Sequence, residues 1–170
     1  LFIGIYTDTG GLKYRGATVK SFEIMAKLAK LFPDFPDLIS QMENSNTPGS
    51  ILFQGLALRS IETHLGGRLA MAAVSLEELR SNNISIDNVG TSIVSPIMRR
   101  VVGWDIIVAL VEEKEGEIKV GLRTRDADKY DVSKLAVALG GGGHKAAAGA
   151  IIKGSIDEAK DMVVARAKEL

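Results

Sequence analysis

The 170 residues contain no cysteine, which excludes disulfide frameworks, thiolate zinc sites and cysteine nucleophiles. Histidine is scarce, and His64 and His144 are the only imidazoles. Net charge is missing too, because 21 Lys and Arg balance 21 Asp and Glu. No global field therefore draws the chain to a polyanion or an anionic membrane, and any contact with nucleic acid must be local. No apolar run approaches the roughly 18 residues of a membrane span, and no basic-headed signal pattern is present. The expectation is a soluble, cytoplasmic protein with no membrane partner. What is there is globular in composition: 46% apolar and 25% charged residues argue against both a disordered tail and a coiled coil. At roughly 150 residues per domain, the length allows one ordinary domain or two small ones.

Residues 1–6 (LFIGIY) are apolar throughout and lack the alternation of a half-solvated strand. Such a run reads as a strand buried on both faces, as in a parallel sheet covered by helices. The next 60 or so residues offer almost no second strand, so the expectation is a fragment whose sheet partners lie upstream of Leu1. Helical period over residues 21–32 sets Phe22, Met25, Leu28, Ala29 and Phe32 on one stripe, with Thr18 or Ser21 as cap. Pro33 and Pro36 end that helix, and Asp37 is placed to cap a short one through Ile39 and Met42. Residues 44–50 hold no large apolar side chain and include Pro48 and Gly49, which marks a domain boundary. A helix over 50–64, closed by Gly66 and Gly67, follows.

The remainder reads as a strand at 68–75, a helix opened by Ser75 and Glu78 at capping-box spacing, and a helix at 91–101. Strands at 104–111 and 118–123 turn at Gly116, and a helix at 132–139, a strand at 147–153 and a helix at 155–168 complete the chain. This order predicts an α/β protein whose last 100 or so residues form a mixed-sheet α+β domain. The division is a piece of one domain at 1–45, a linker helix at 46–66 and a second domain at 67–170.

Asp8 follows the expected first strand and precedes Gly10 and Gly11, the position where α/β enzymes hold ligands. It reads either as a metal or catalytic carboxylate or as an Asx-turn or helix cap. Gly140 to Gly143 are four consecutive glycines, followed by His144 and Lys145. Glycines in series expose backbone N–H groups and let a phosphate approach where a Cβ would block it. A plain connection needs one glycine, so a functional loop is the better reading. Arg123, at the end of its strand, carries a planar fork suited to phosphate, whereas Arg125 is read as paired with Asp126 or Asp128. Six basic against three acidic residues between Lys119 and Lys145 leave a local excess suited to a nucleotide or short oligomer. His64 reads as a solvated helix-end histidine, Trp104 as core, and Arg99 and Arg100 as cations at a helix C-terminus.

Two of these segments carry a family resemblance. GIYTDTGGLKY, running from Gly4 to Tyr14, resembles the last metal-ligand motif of the DHH phosphoesterase superfamily, whose usual form is G-[IL]-x-T-D-T-G-x-F-x-[YH]. GGGGHKAAAGA, from Gly140 to Ala150, resembles the glycine-histidine motif of the DHH-associated C-terminal domain. The two occur in the family's order, and the segment VGLRTRDADKYDVSKLA is most similar to the branch of nanoRNases, or oligoribonucleases and pAp phosphatases. RecJ exonucleases are more distant.

The resemblance implies a metal-binding DHH domain and a smaller domain that grips the substrate. It makes Asp8 a catalytic metal ligand, Arg123 the arginine that contacts nucleotide, and Gly142, Gly143 and His144 the loop that holds its phosphate. No organic cofactor is implied; the metal is Mn²⁺ in a two-metal site. Neither the family's Asp-x-Asp ligands nor the Asp-His-His triplet that names it precedes Asp8 here, so most of that site is expected upstream of Leu1. The implied partners are short RNA or DNA oligonucleotides or nucleotides, the missing N-terminal DHH domain and, as an option the sequence leaves open, a second copy in a homodimer. Gly121 and Thr124 stand where the family often has serine, and Leu12 where it has Phe. A cyclic-dinucleotide phosphodiesterase shares the motifs, and a non-catalytic RNA-binding module, such as accompanies alanyl-tRNA synthetases, is the rival from another class.

Overall fold

The computed structural model describes residues 1–14 and 16–170. Two compact units divide the chain, Leu1–Asn46 and Thr47–Leu170.

The first unit holds three helices, α1 (Phe2–Asp8), α2 (Val19–Leu31) and α3 (Phe35–Glu43). The expected strand at 1–6 is thus a helix. A strand must find pairing partners for its N–H and C=O groups, and this unit contains no strand among its described residues. The helix closes those bonds within the segment, and the Thr7 and Thr9 hydroxyls bond back to the carbonyls of Ile3 (2.9 Å) and Ile5 (2.6 Å). Phe2 and Tyr6, one turn apart, face α3. The Phe2 and Phe35 rings lie 5.2 Å apart, and the Tyr6 hydroxyl donates to Glu43 Oε1 at 2.6 Å. Thr18 caps α2 in a reciprocal pair with Ser21. Asp34, not Asp37, occupies the N-cap position of α3, and Asp37 sits in its first turn.

The second unit is built on α4 (Pro48–Arg59), β1 (Glu62–His64), β2 (Leu69–Val74), α5 (Leu76–Ser81), α6 (Thr91–Met98), β3 (Ile106–Lys114), β4 (Glu117–Thr124), α7 (Val132–Ala138), β5 (Gly142–His144), β6 (Ala147–Lys153) and α8 (Ile156–Ala167). Its six strands form one mixed sheet in the order β1-β2-β3-β4-β6-β5. Only β2 and β3 are parallel, with α5 and α6 in the crossover between them. The protein is therefore a mixed α/β fold.

Alternation along each strand sends side chains to two cores. Leu69, Met71, Val108, Leu110, Ile118 and Leu122 face one side, where α7 and α8 supply Leu135, Ala136, Ala159 and Val163. Ala70, Val74, Ile107 and Val111 face the other, against Phe53 of α4, Leu79 of α5, and Val94 and Met98 of α6. Phe53 is completely buried, a placement worth about 1.5–3 kcal/mol. The segment read as a linker helix thus belongs to this core. It also ends earlier than expected, at Arg59; residues 62–64 pair antiparallel with β2 as an edge strand. Leu65, Gly66 and Gly67 then form the hairpin turn, all three at positive φ. His64 accordingly lies on a strand rather than a helix end, with Nε2 3.6 Å from Glu62. Ser75 and Ser155 cap α5 and α8 through Glu78 and Glu158.

Candidate functional site

On the side carrying α4, α5 and α6, the helices cover β2 and β3 and stop at β4. Beyond the contact of Thr91 with β4, the far strands β4, β6 and β5 floor an open depression of about 640 Å³. The sequence of β4 explains both faces at once. Ile118, Val120 and Leu122 point into the core beneath α7 and α8, and Lys119, Gly121 and Arg123 alternate with them toward the depression. Across the ladder, Lys119 pairs with Ile151, Gly121 with Gly149, and Arg123 with Ala147. Gly142 lies opposite Gly149 on the outer strand β5. The floor is therefore glycine and alanine, with cations at its two ends and no acidic side chain in its lining.

The second half of the glycine run, Gly142 and Gly143, forms an edge strand with His144 rather than the expected loop. Each glycine answers a different demand. Gly140 turns the chain out of α7 at φ +80°, and its N–H bonds the Val137 carbonyl. A Cβ on Gly141 would overlap the Gly149 carbonyl and lie 2.6 Å from Ala150 Cα. One on Gly143, which has φ +144°, would lie 2.5 Å from Ala148 Cα. At Gly142 the space is open, with no heavy atom within 4 Å. The fold requires glycine at 140, 141 and 143. At 142 only the approach of something else to the backbone makes a side chain costly.

Arg123, Gly142 and Gly143 line this depression together. Arg123 is half-buried, and its Nη1 donates to the Leu122 carbonyl at 2.9 Å. His144, the last residue of β5, is exposed and is not part of the lining. Asp8 lies in the other unit, exposed at the last position of α1, not beyond the end of a strand. Arg125 reaches the Val101 carbonyl at 2.5 Å instead of pairing with Asp126 or Asp128. Asp126 instead accepts from the backbone N–H groups of Asp128 and Lys129.

Thr91 and Ile151 of the lining have no place in the sequence reading, and Lys119 enters it only as one of six basic residues between 119 and 145. Lys119, Gly121 and Arg123 stand at period two against a buried apolar triplet, a signal that a bare polar face leaves in the sequence. Thr91 carries no such signal; it arrives because the first residue of α6 rests on β4.

A manganese centre needs several carboxylate or imidazole ligands converging on one point. Among the described residues, no group of three or more His, Asp or Glu side chains is arranged to hold a metal ion. The residues present do not fit a two-metal site. Among the described residues, no helix is long and apolar enough to cross a membrane.

Comparison with known proteins identifies a family and a shared fold. The family described as the DHHA1 domain matches residues 84–169. The bifunctional oligoribonuclease and PAP phosphatase NrnA of Thermus thermophilus is 30% identical over 167 residues, which are 98% of this chain and 48% of that protein. The probable bifunctional oligoribonuclease and PAP phosphatase NrnA of Streptococcus mutans is 31% identical over 152 residues, 88% of this chain and 46% of that protein. The chain thus spans about half the length of the curated relatives it matches. An exopolyphosphatase-related protein from Bacteroides fragilis shares the fold, with a TM-score of 0.85 at 21% identity over 97% of this chain and 47% of that one.

Proposed function

The chain belongs to the DHHA1 domain family of the DHH phosphoesterase superfamily, and from that premise we propose that it is the substrate-holding half of a metal-dependent phosphoesterase. The substrates are short oligonucleotides or 3′,5′-nucleoside bisphosphates, in keeping with the names of its curated relatives. Residues 47–170 form the substrate-binding domain, and residues 1–46 are the tail of a DHH catalytic domain. One observation carries this reading: Arg123 stands beside a floor from which side chains are missing at Gly142 and Gly149.

A guanidinium offers two parallel N–H donors matched to two phosphate oxygens. The bare backbone lets a phosphate come close enough to meet that fork, and the absence of acidic lining spares it repulsion. These residues bind and orient; they perform no bond cleavage themselves. Asp8 is this chain's candidate for a single ligand of a manganese centre that its other residues do not complete, and His144 a candidate second donor to the phosphate. The depression suits linear nucleotides with a terminal phosphate, which places a cyclic dinucleotide, having none, second.

The test is binding of adenosine 3′,5′-bisphosphate and of 5′-phosphorylated triadenylate to the 170-residue chain, by calorimetry. Both bind wild type, and Arg123→Met weakens both by about tenfold or more, as expected for loss of a charge-assisted contact. Wild type that binds neither ligand at millimolar concentration, or an Arg123→Met variant that binds both as wild type does, overturns the reading.

A further inference from the structure

The depression continues well beyond Arg123. Lys119 and Arg123 are four residues apart on one face of β4, which puts their Cα atoms about 13 Å apart. Glu113 draws the lysine farther still. Its Oε1 lies 3.2 Å from Lys119 Nζ, and Glu113 sits on β3 past the level of Lys119, toward the β3–β4 turn. Directly across the ladder from Lys119 is Ile151, 56% exposed although its strand neighbours Ala150 and Ile152 are buried. The far end of the floor therefore presents an ammonium beside a bare apolar surface, with Gly149 leading back toward Arg123 and Thr91 standing over its ladder partner Gly121.

We propose that Lys119 and Ile151 form a second nucleotide subsite, with Lys119 holding a phosphate farther along the strand and Ile151 supporting a base. The inference rests on the reading of the Arg123 end as a phosphate site. The charge pattern selects the occupant: two cations separated along a floor without acids match phosphates strung along an oligonucleotide. An apolar surface beside the second cation suits the base that accompanies its phosphate. A ligand with one phosphate engages only one end. The Lys119–Glu113 pair, its lysine exposed and its glutamate half-buried, is a modest competitor, since an ion pair open to solvent contributes little, whereas a phosphate offers the ammonium charge-assisted hydrogen bonds. The site thereby discriminates by length, favouring oligonucleotides over mononucleotides.

The experiment titrates the 170-residue chain with adenosine 5′-monophosphate and with 5′-phosphorylated triadenylate, at several salt concentrations. Variants are Lys119→Met, Ile151→Thr and Arg123→Met; Lys119 and Ile151 are exposed, and thermal melting checks that each variant is folded. Lys119→Met is expected to weaken triadenylate binding about tenfold and to leave the monophosphate within about twofold. It also lowers the slope of log Kd against log salt for triadenylate by about 0.7, the loss of one phosphate contact on a single strand. Ile151→Thr weakens triadenylate at unchanged salt slope. Arg123→Met weakens both ligands. If Lys119→Met affects both ligands equally, or neither, the second subsite is overturned and the Arg123 reading stands. If Arg123→Met changes neither, or wild type binds neither, the underlying phosphate site fails and the subsite with it.

Discussion

The first residue of α6, Thr91, lies directly over Gly121 of β4, so that a Cβ on the glycine would overlap Thr91 Cβ and come within 2.5 Å of its Oγ1. This contact ends the helical cover of the sheet and opens the depression beyond it. Alanine in place of glycine within a strand ordinarily stabilises, by roughly 0.5–1 kcal/mol. Here Gly121→Ala is expected to destabilise by about 1–3 kcal/mol, the cost of overpacking. The penalty shrinks toward zero in a Thr91→Gly background, which denaturant unfolding of the four proteins of the cycle measures. A stabilised Gly121→Ala single variant contradicts the close approach.

The four glycines from 140 to 143 differ in what they tolerate. Alanine at Gly141 or Gly143 meets backbone atoms of the adjacent strand, and each substitution is expected to cost about 1–3 kcal/mol or more. Gly142→Ala meets nothing and should melt with wild type. Its effect should appear instead as weaker binding of adenosine 3′,5′-bisphosphate. Equal melting losses at all three positions argue that 142 is as structural as its neighbours.

Asp131 accepts hydrogen bonds from the side chain and backbone of Ser133 at the start of α7, and these hold its carboxyl below the usual carboxylate range, with Lys145 and Lys134 adding to the effect. A depressed native pKa stabilises the fold above the unfolded value, near about 3.9, and that contribution fades as pH falls through the native value. Wild type is therefore expected to melt above Asp131→Ala at neutral pH, with the gap narrowing steadily below about pH 4. Melting curves from pH 7 to pH 2 check this; a gap that widens on acidification reverses the sign and refutes it.

The cores beneath both faces of the sheet are made by residues of the second unit alone. Deleting residues 1–46 is expected to leave a folded protein whose Tm differs by less than about 4 °C, corresponding to under roughly 1 kcal/mol. Loss of the cooperative transition in the shortened chain would show that the second unit depends on the first.

Since the described residues assemble no metal cluster, the 170-residue chain is expected to show no Mn²⁺-dependent hydrolysis of adenosine 3′,5′-bisphosphate or of triadenylate. Product formation is followed by chromatography with and without chelator. Turnover that chelator abolishes would place a complete metal centre within this chain.

Much of the second unit is written in local chemistry. Ser75 with Glu78 and Ser155 with Glu158 open helices because hydroxyl and carboxylate satisfy the first free N–H groups, whatever the rest of the chain does. Gly116, at φ +65°, turns β3 into β4, and the apolar alternation at 118, 120 and 122 sets which face of β4 is buried. Other segments had no local answer. Residues 1–6 are apolar without a period, and a strand forms only where neighbours pair its backbone; α1 is the outcome where its unit offers none. Residues 62–64 and 142–144 are too short to show a period, and they became strands because β2 and β6 each had an edge left to pair. The depression belongs to the same category. Thr91, the stretch from Lys119 to Arg123 and the stretch from Gly142 to Ile151 lie apart in the chain, and no local signal links one to another. They meet because the helices on one side of the sheet end at β4 while the sheet runs on to β5, and only the packing of whole elements decides where that cover stops.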